Sequence, residues 1–173
     1  MPKLTDQSTA STAAYPAIVA TPQLPITVTP TISTGAYAAG DALGGLMSFA
    51  SAVLGTAGSG AITKVVIIDD DDELAPIDIV FFSTSFTPTA DNNPFAPSDA
   101  DMQNCIGYVD VAATDYASFV NNCVAAKTSG LRMPFPYKLS AGTALYAQMV
   151  IREAHTYTAT DDITVKLAVE RYS

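Results

Sequence analysis

The stretch that decides the fold runs from Thr34 to Phe82. It opens on a glycine-rich cluster, TGAYAAGDALGG (34–45), and closes on ITKVVIIDDDDELAPIDIVFF (62–82). Thr63–Ile68 and Ile77–Phe82 are runs of β-branched and aromatic residues, which predicts two strands. In the second, Ile77, Ile79 and Phe81 alternate with Asp78, Val80 and Phe82. Apolar residues therefore stand on both faces at its C-terminal end. Such a strand is covered on one side by core and on the other by a subunit or a neighbouring layer. Between the two strands lie Asp69, Asp70, Asp71, Asp72 and Glu73. A calcium loop alternates its ligands and bends at a glycine; this run does neither. A solvated loop is expected, and no metal is assigned to it.

The glycines before these strands read as turn chemistry. Gly35, Gly40, Gly44 and Gly45 crowd around Asp41, and GTAGSG (55–60) forms a second cluster. Both predict tight turns or positions with positive φ. A phosphate-cradling loop would need a Lys-Ser/Thr pair after its glycines and then a helix. Gly60 is followed instead by AITKVVII, a strand, so no cofactor site is assigned. Met47–Leu54 (MSFASAVL) fits either a strand or a short helix at this length.

Outward from this centre, residues 1–24 are rich in Ser, Thr, Ala and Pro without periodicity. They read as an extended N-terminal arm, either a disordered terminus or a segment that orders on a partner. Ile26-Thr27-Val28 fits a short edge strand between prolines. Beyond Phe82, STSFTPTADNNPFAPSDADM (83–102) is loop-like, with Ser98 as an N-cap and Asp99 and Asp101 in a first helical turn near Asp99–Asn104. Ile106–Val111 resumes strand character. Tyr116–Ala126 is ambiguous and leans to strand. Leu145, Ala147, Met149 and Ile151, and later Ile163, Val165, Leu167 and Val169, alternate with their neighbours, as half-buried antiparallel strands do. The connection HTYTATDD (155–162) is long for a tight hairpin, so a protruding, contact-making tip is expected. Many short strands with Gly/Pro turns predict a sandwich, a jelly roll or a barrel. The organisation expected is an arm over 1–24 and one β domain over 25–173.

Composition narrows the function. Charged residues make up only 14% of the chain and apolar residues 49%, so weakly polar surface is expected to be covered by a partner. A formal net charge of −9 argues against direct nucleic-acid binding and against attraction to an anionic membrane. The longest apolar window, Ala42–Leu54, is too short to span a bilayer, and the N-terminus lacks the apolar core of an export signal. A soluble protein is expected. Cys105 and Cys123 are the only cysteines; they read as two free thiols or as one mutual disulfide. His155 is the only histidine and lies in a polar run, so it reads as a surface loop residue rather than a catalytic base. A carboxylate pair for glycoside hydrolysis would be spatial rather than sequential. With no Trp and 9% aromatic residues, sugar-stacking platforms would have to be Tyr or Phe. The expectation is a protein that is not an enzyme, with no catalytic, cofactor or metal residues.

A resemblance carries the reading further. Tyr37-Ala-Ala-Gly-Asp-Ala-Leu-Gly44, then Ser59-Gly60-Ala-Ile62 with Val65, Ile67 and Asp69, resemble the "Y-x-A-G-D-x-x-G" and "S-G-x-I-x-x-V-x-I-x-D" runs of tailed-bacteriophage virion proteins. The similarity continues through Ile79–Phe82, Pro88-Thr89, Asp91-Asn92, Phe95, Ser98-Asp99 and Ile106-Gly107, covering Thr34 to Val111. The acidic block Asp69–Asp72 departs from the familiar pattern. What the resemblance implies is a head decoration, or cement, protein: an all-β, jelly-roll-like antiparallel β-sandwich with an extended N-terminal arm. Such a protein would be a homo-oligomer, a trimer by analogy. It would be made in the host cytoplasm and would bridge major capsid protein subunits on the outer capsid surface of the virion. The alternative reading is a tail-fibre or receptor-binding β domain that recognises a host surface polysaccharide through the 155–162 loop.

Overall fold

A computed structural model describes residues 24–129 and 133–172. The arm assigned to residues 1–24 lies outside these residues, apart from Leu24, which opens the first strand. Ten strands follow: β1 (Leu24–Val28), β2 (Ala42–Phe49), β3 (Ser59–Asp69), β4 (Ile77–Phe82), β5 (Cys105–Val111), β6 (Tyr116–Ser118), β7 (Cys123–Lys127), β8 (Phe135–Lys138), β9 (Leu145–Ile151) and β10 (Ile163–Tyr172). The helical content is one short turn, α1 (Asp99–Met102), and a 3₁₀ turn at Ala113–Asp115. Ser98 Oγ accepts the Asp101 N–H at 3.1 Å, so the cap expected from the sequence forms.

The strands make two antiparallel sheets. One is ordered β1-β10-β3-β7-β6, with β8 pairing the other half of the β3 edge that β7 occupies; the second is ordered β2-β9-β4-β5. The two strands that flank the acidic loop therefore belong to different sheets. Alternation explains how they pack. Val65 and Ile67 of β3, Val165 and Leu167 of β10, Ile77 and Ile79 of β4 and Met149 of β9 all lie in one buried core shared by both sheets. Each such side chain contributes on the order of 1.5–3 kcal/mol when removed from water. Met47–Phe49 resolves as strand, the burial of Met47 and Phe49 against β9 deciding what periodicity left open.

The second apolar face of β4 has a local explanation. Val80 and Phe82, with Val150 of β9, form a separate cluster covered by Phe86 and by Phe95 from the chain that follows β4. Phe82 and Phe86 stack with ring centroids 3.9 Å apart. The cover anticipated for this face is thus supplied by residues 83–97 of the same chain rather than by a subunit. At Gly107, φ is +129°, and an added Cβ would lie 2.8 Å from the Phe135 ring. A glycine is needed there for both backbone and space.

Candidate functional site

Part of the set that carries the resemblance, Tyr37, Asp41, Gly44, Thr89 and Asp91, lies where the 83–97 segment is fastened over the sheet. β2 bulges between Leu43 and Met47, so that its residues 44–46 fall out of register with β9. Gly44, at φ +74°, packs where a Cβ would come within 2.9 Å of Pro30. Its N–H donates to Asp91 Oδ1 at 2.6 Å. The same carboxylate accepts the Tyr37 hydroxyl at 2.8 and 3.0 Å, and that hydroxyl accepts the Ser33 N–H. Burial pushes the Tyr37 hydroxyl pKa up, which keeps it a donor. Gln148 of β9, fully buried, donates to Gly44 O at 2.9 Å and to Thr89 O at 2.7 Å and accepts the Thr89 N–H at 3.0 Å. Asp41 Oδ2 accepts the Ala38 N–H, closing the turn before β2. Tyr37, Asp41, Gly44, Thr89 and Asp91 therefore supply backbone partners that no strand provides. They hold the fold and present no reactive group.

The acidic run is only in part the solvated loop expected of it: Asp70 is exposed and Asp71, Asp72 and Glu73 are half-buried, but Asp69 is not in water. Asp69 is completely buried at the end of β3. Its Oδ1 accepts the Asp71 N–H at 3.0 Å, and its Oδ2 accepts the Glu73 N–H at 3.1 Å and the Cys123 thiol at 3.6 Å. Burial pushes the Asp69 carboxyl above the usual carboxylate range, opposed by these three hydrogen bonds. Asp71 accepts from Thr158 N and Oγ1 at 2.9 and 3.1 Å. Asp162 accepts the N–H groups of Thr158 and Ala159 and gives its carbonyl to the Asp70 N–H. Asp72 accepts the Ser118 hydroxyl at 2.8 Å. Asp69, Asp71, Asp72 and Asp162 are engaged in this way because two irregular loops pack together here, and their N–H groups need acceptors. Asp70 is the one member of the run that is exposed.

The 155–162 connection is partly buried against the fold. Tyr157 is 1% exposed and meets Tyr37 edge-on at 6.1 Å, although Thr156, Thr158, Thr160 and Asp161 remain on the surface. His155, expected as a surface loop residue, is only partly exposed, with Nδ1 3.0 Å from Glu73 Oε2. That pair could orient an imidazole, but no nucleophile is bonded to it. Cys123 and Cys105 are both free. The Cys123 thiol is pushed up to about 12, chiefly by burial, which makes it an inert thiol rather than a nucleophile. Among the described residues, no group of three or more His, Cys, Asp or Glu could hold a metal ion. None of their helices is long and apolar enough to cross a membrane.

One surface feature escaped the sequence reading. The ambiguous Tyr116–Ala126 run folds as a hairpin of β6 and β7, and its tip displays Phe119 at 59% and Val120 at 90% exposure. Phe119 N–H donates to Asn122 O at 2.7 Å, and Val120 sits at φ +74°. The Asn121-Asn122 pair was the available turn signal. The tip adjoins the acidic end through the Ser118–Asp72 bond and the pairing of Asp69 with Cys123. No protein-family model matches the chain, and no curated protein matches it.

Proposed function

We propose that this chain is a bacteriophage virion structural protein, a head decoration protein that stabilises the capsid by bridging major capsid protein subunits as a homotrimer. The observation that carries the reading is the Thr34–Val111 resemblance, five of whose residues lie together in one fastening. Tyr37, Asp41, Gly44, Thr89 and Asp91 bind one another or the backbone around them, which is what a shared scaffold motif would do. Two antiparallel sheets with almost no helix agree with the jelly-roll-like sandwich that the reading requires. Interfaces between copies and with the shell suit a surface of low charge, because uncharged residues lose less hydration on burial. The polysaccharide-binding alternative gains nothing from the 155–162 loop, whose aromatic Tyr157 is buried.

The test is made on particles. Heads assembled without this protein are expected to lose their contents at a lower temperature than complete heads, and added protein should restore the difference. Equal heat and osmotic resistance with and without it would overturn the stabilising role, and its location on the tail in particle images would overturn the placement.

A further inference from the structure

Beneath the acidic end lie polar groups whose partners the protein itself does not supply. Four buried side-chain atoms there bond no described group: Asp72 Oδ1, the Tyr116 and Tyr157 hydroxyls, and His155 Nε2. Tyr157 is 1% exposed and belongs to the apolar core, and Tyr116 packs against that core. Two other core tyrosines show the usual arrangement: the Tyr37 hydroxyl donates to Asp91 and the Tyr137 hydroxyl to Ala52 O at 2.7 Å. A buried phenol without a partner is costly, and phenylalanine would fill the same space without that cost. Register brings the groups together. Asp69 stands opposite Cys123, Cys123 stands opposite Ser118, and Tyr116 lies two residues from Ser118 on the same face of β6. Burial, then Asp69 and Tyr116, push the Tyr157 hydroxyl pKa up; burial and then Asp69 do the same for Tyr116. Both phenols are therefore neutral donors facing one carboxylate. Asp69 Oδ1 accepts the Asp71 N–H and has a second lone pair to offer.

We propose that Tyr116, Tyr157 and Asp69 form a binding site for structural water, which accepts from the two phenols and donates to the Asp69 carboxylate. The ligand has to accept two hydrogen bonds, give at least one, and fit among core side chains. Water does all three. A metal ion accepts no phenol proton, and among the described residues no three His, Cys, Asp or Glu could hold one. An ammonium group offers no acceptor, and a small anion would be repelled by Asp69 and Glu73. The bound water joins three segments: the end of β3 through Asp69, β6 through Tyr116, and the 155–162 connection through Tyr157. It makes the acidic end one unit, which opens as a whole. This inference concerns the interior of the fold and stands whether or not the chain is a capsid protein.

Two measurements on the full chain test the site. Oxygen-17 relaxation dispersion reads waters held long enough to be structural, and its long-lived component should be smaller in Y116F/Y157F than in wild type. Urea titration at fixed protein concentration reads the folding equilibrium constant. Y116F and Y157F should each lower it about fivefold, because each removes a hydrogen bond to the water. Together they should cost less than the product of the two, since one site serves both hydroxyls. Y137F removes a direct bond to Ala52 O, so it should lower the constant and leave the long-lived component unchanged. Wild-type amide dispersion in the NMR spectra checks that each variant folds. A constant unchanged or raised in both single variants would show orphaned hydroxyls and overturn the proposal. Costs that simply multiply would place the hydroxyls on separate partners and overturn the shared site. A long-lived component unchanged in the double variant, or equally reduced by Y137F, would overturn it as well.

Discussion

Replacing Gln148 by Met tests whether the Gly44–Thr89–Gln148 bonds hold the 83–97 segment in place. Met has a similar length and no amide, so it fills the space while removing all three hydrogen bonds. Gly44 O is then left buried without its partner, at about 1–3 kcal/mol. Thr89 N and Thr89 O lose partners too, and they can reach water only if the segment lifts. Lifting uncovers Phe86 and part of Phe82, whose burial is worth on the order of 1.5–3 kcal/mol each. Either route gives a loss of about 3 kcal/mol. With a urea m value of about 2 kcal/mol/M for a chain of this size, the midpoint should fall by about 1.5 M at fixed protein concentration. Limited proteolysis separates the routes: new cleavage within 83–97 before global unfolding marks local lifting. A midpoint shift below about 0.5 M with 83–97 still protected would refute the reasoning, since the bonds would then be replaceable.

Two further outcomes follow from the acidic end. Asp69 has a folded-state pKa raised above its unfolded value by burial, so its stabilising contribution is complete below the unfolded carboxyl pKa of about 3.9 and is lost as pH rises through the raised folded value. A carboxyl carbon-13 titration should place its midpoint above the usual carboxylate range, and a midpoint at or below about 3.9 would sink the burial argument. Because Cys123 is fully buried with its thiol pushed up to about 12, a thiol reagent at pH 8 should label the half-buried Cys105 first and reach Cys123 only on unfolding. Equal labelling rates in the folded protein would contradict the position of Cys123 against Asp69.

The strands of the core were legible because their signal is local. Ile163, Val165, Leu167 and Val169 alternate, and a side-chain period of two admits one buried face. The N-cap at Ser98 was legible for the same reason, since its partner is three residues away. Local pattern also identified Val80 and Phe82 as covered, yet it looked to a subunit or a neighbouring layer for the cover, because Phe86 and Phe95 reach them through a loop with no periodicity.

The sequence by itself determined an all-β chain, the buried faces of its main strands and the glycine-rich and acidic turns between them. Only the tertiary structure decided what those residues do. Asp69–Glu73 reads as solvated because five carboxylates repel one another in a chain, but Asp69 is buried on N–H groups of its own run, Asp71 and Asp72 accept from Thr158 and Ser118, and Glu73 meets His155. Gln148 carries no signal in a strand of alternating residues, and its importance comes from standing across the β2 bulge from Gly44. In the opening stretch, Thr34–Phe82, the glycine cluster serves the fastening of a distant segment, because a backbone freed at Gly44 needs acceptors and donors that lie 47 residues on at Asp91 and 104 residues on at Gln148. Contacts at that separation are fixed by packing, and no local pattern encodes them.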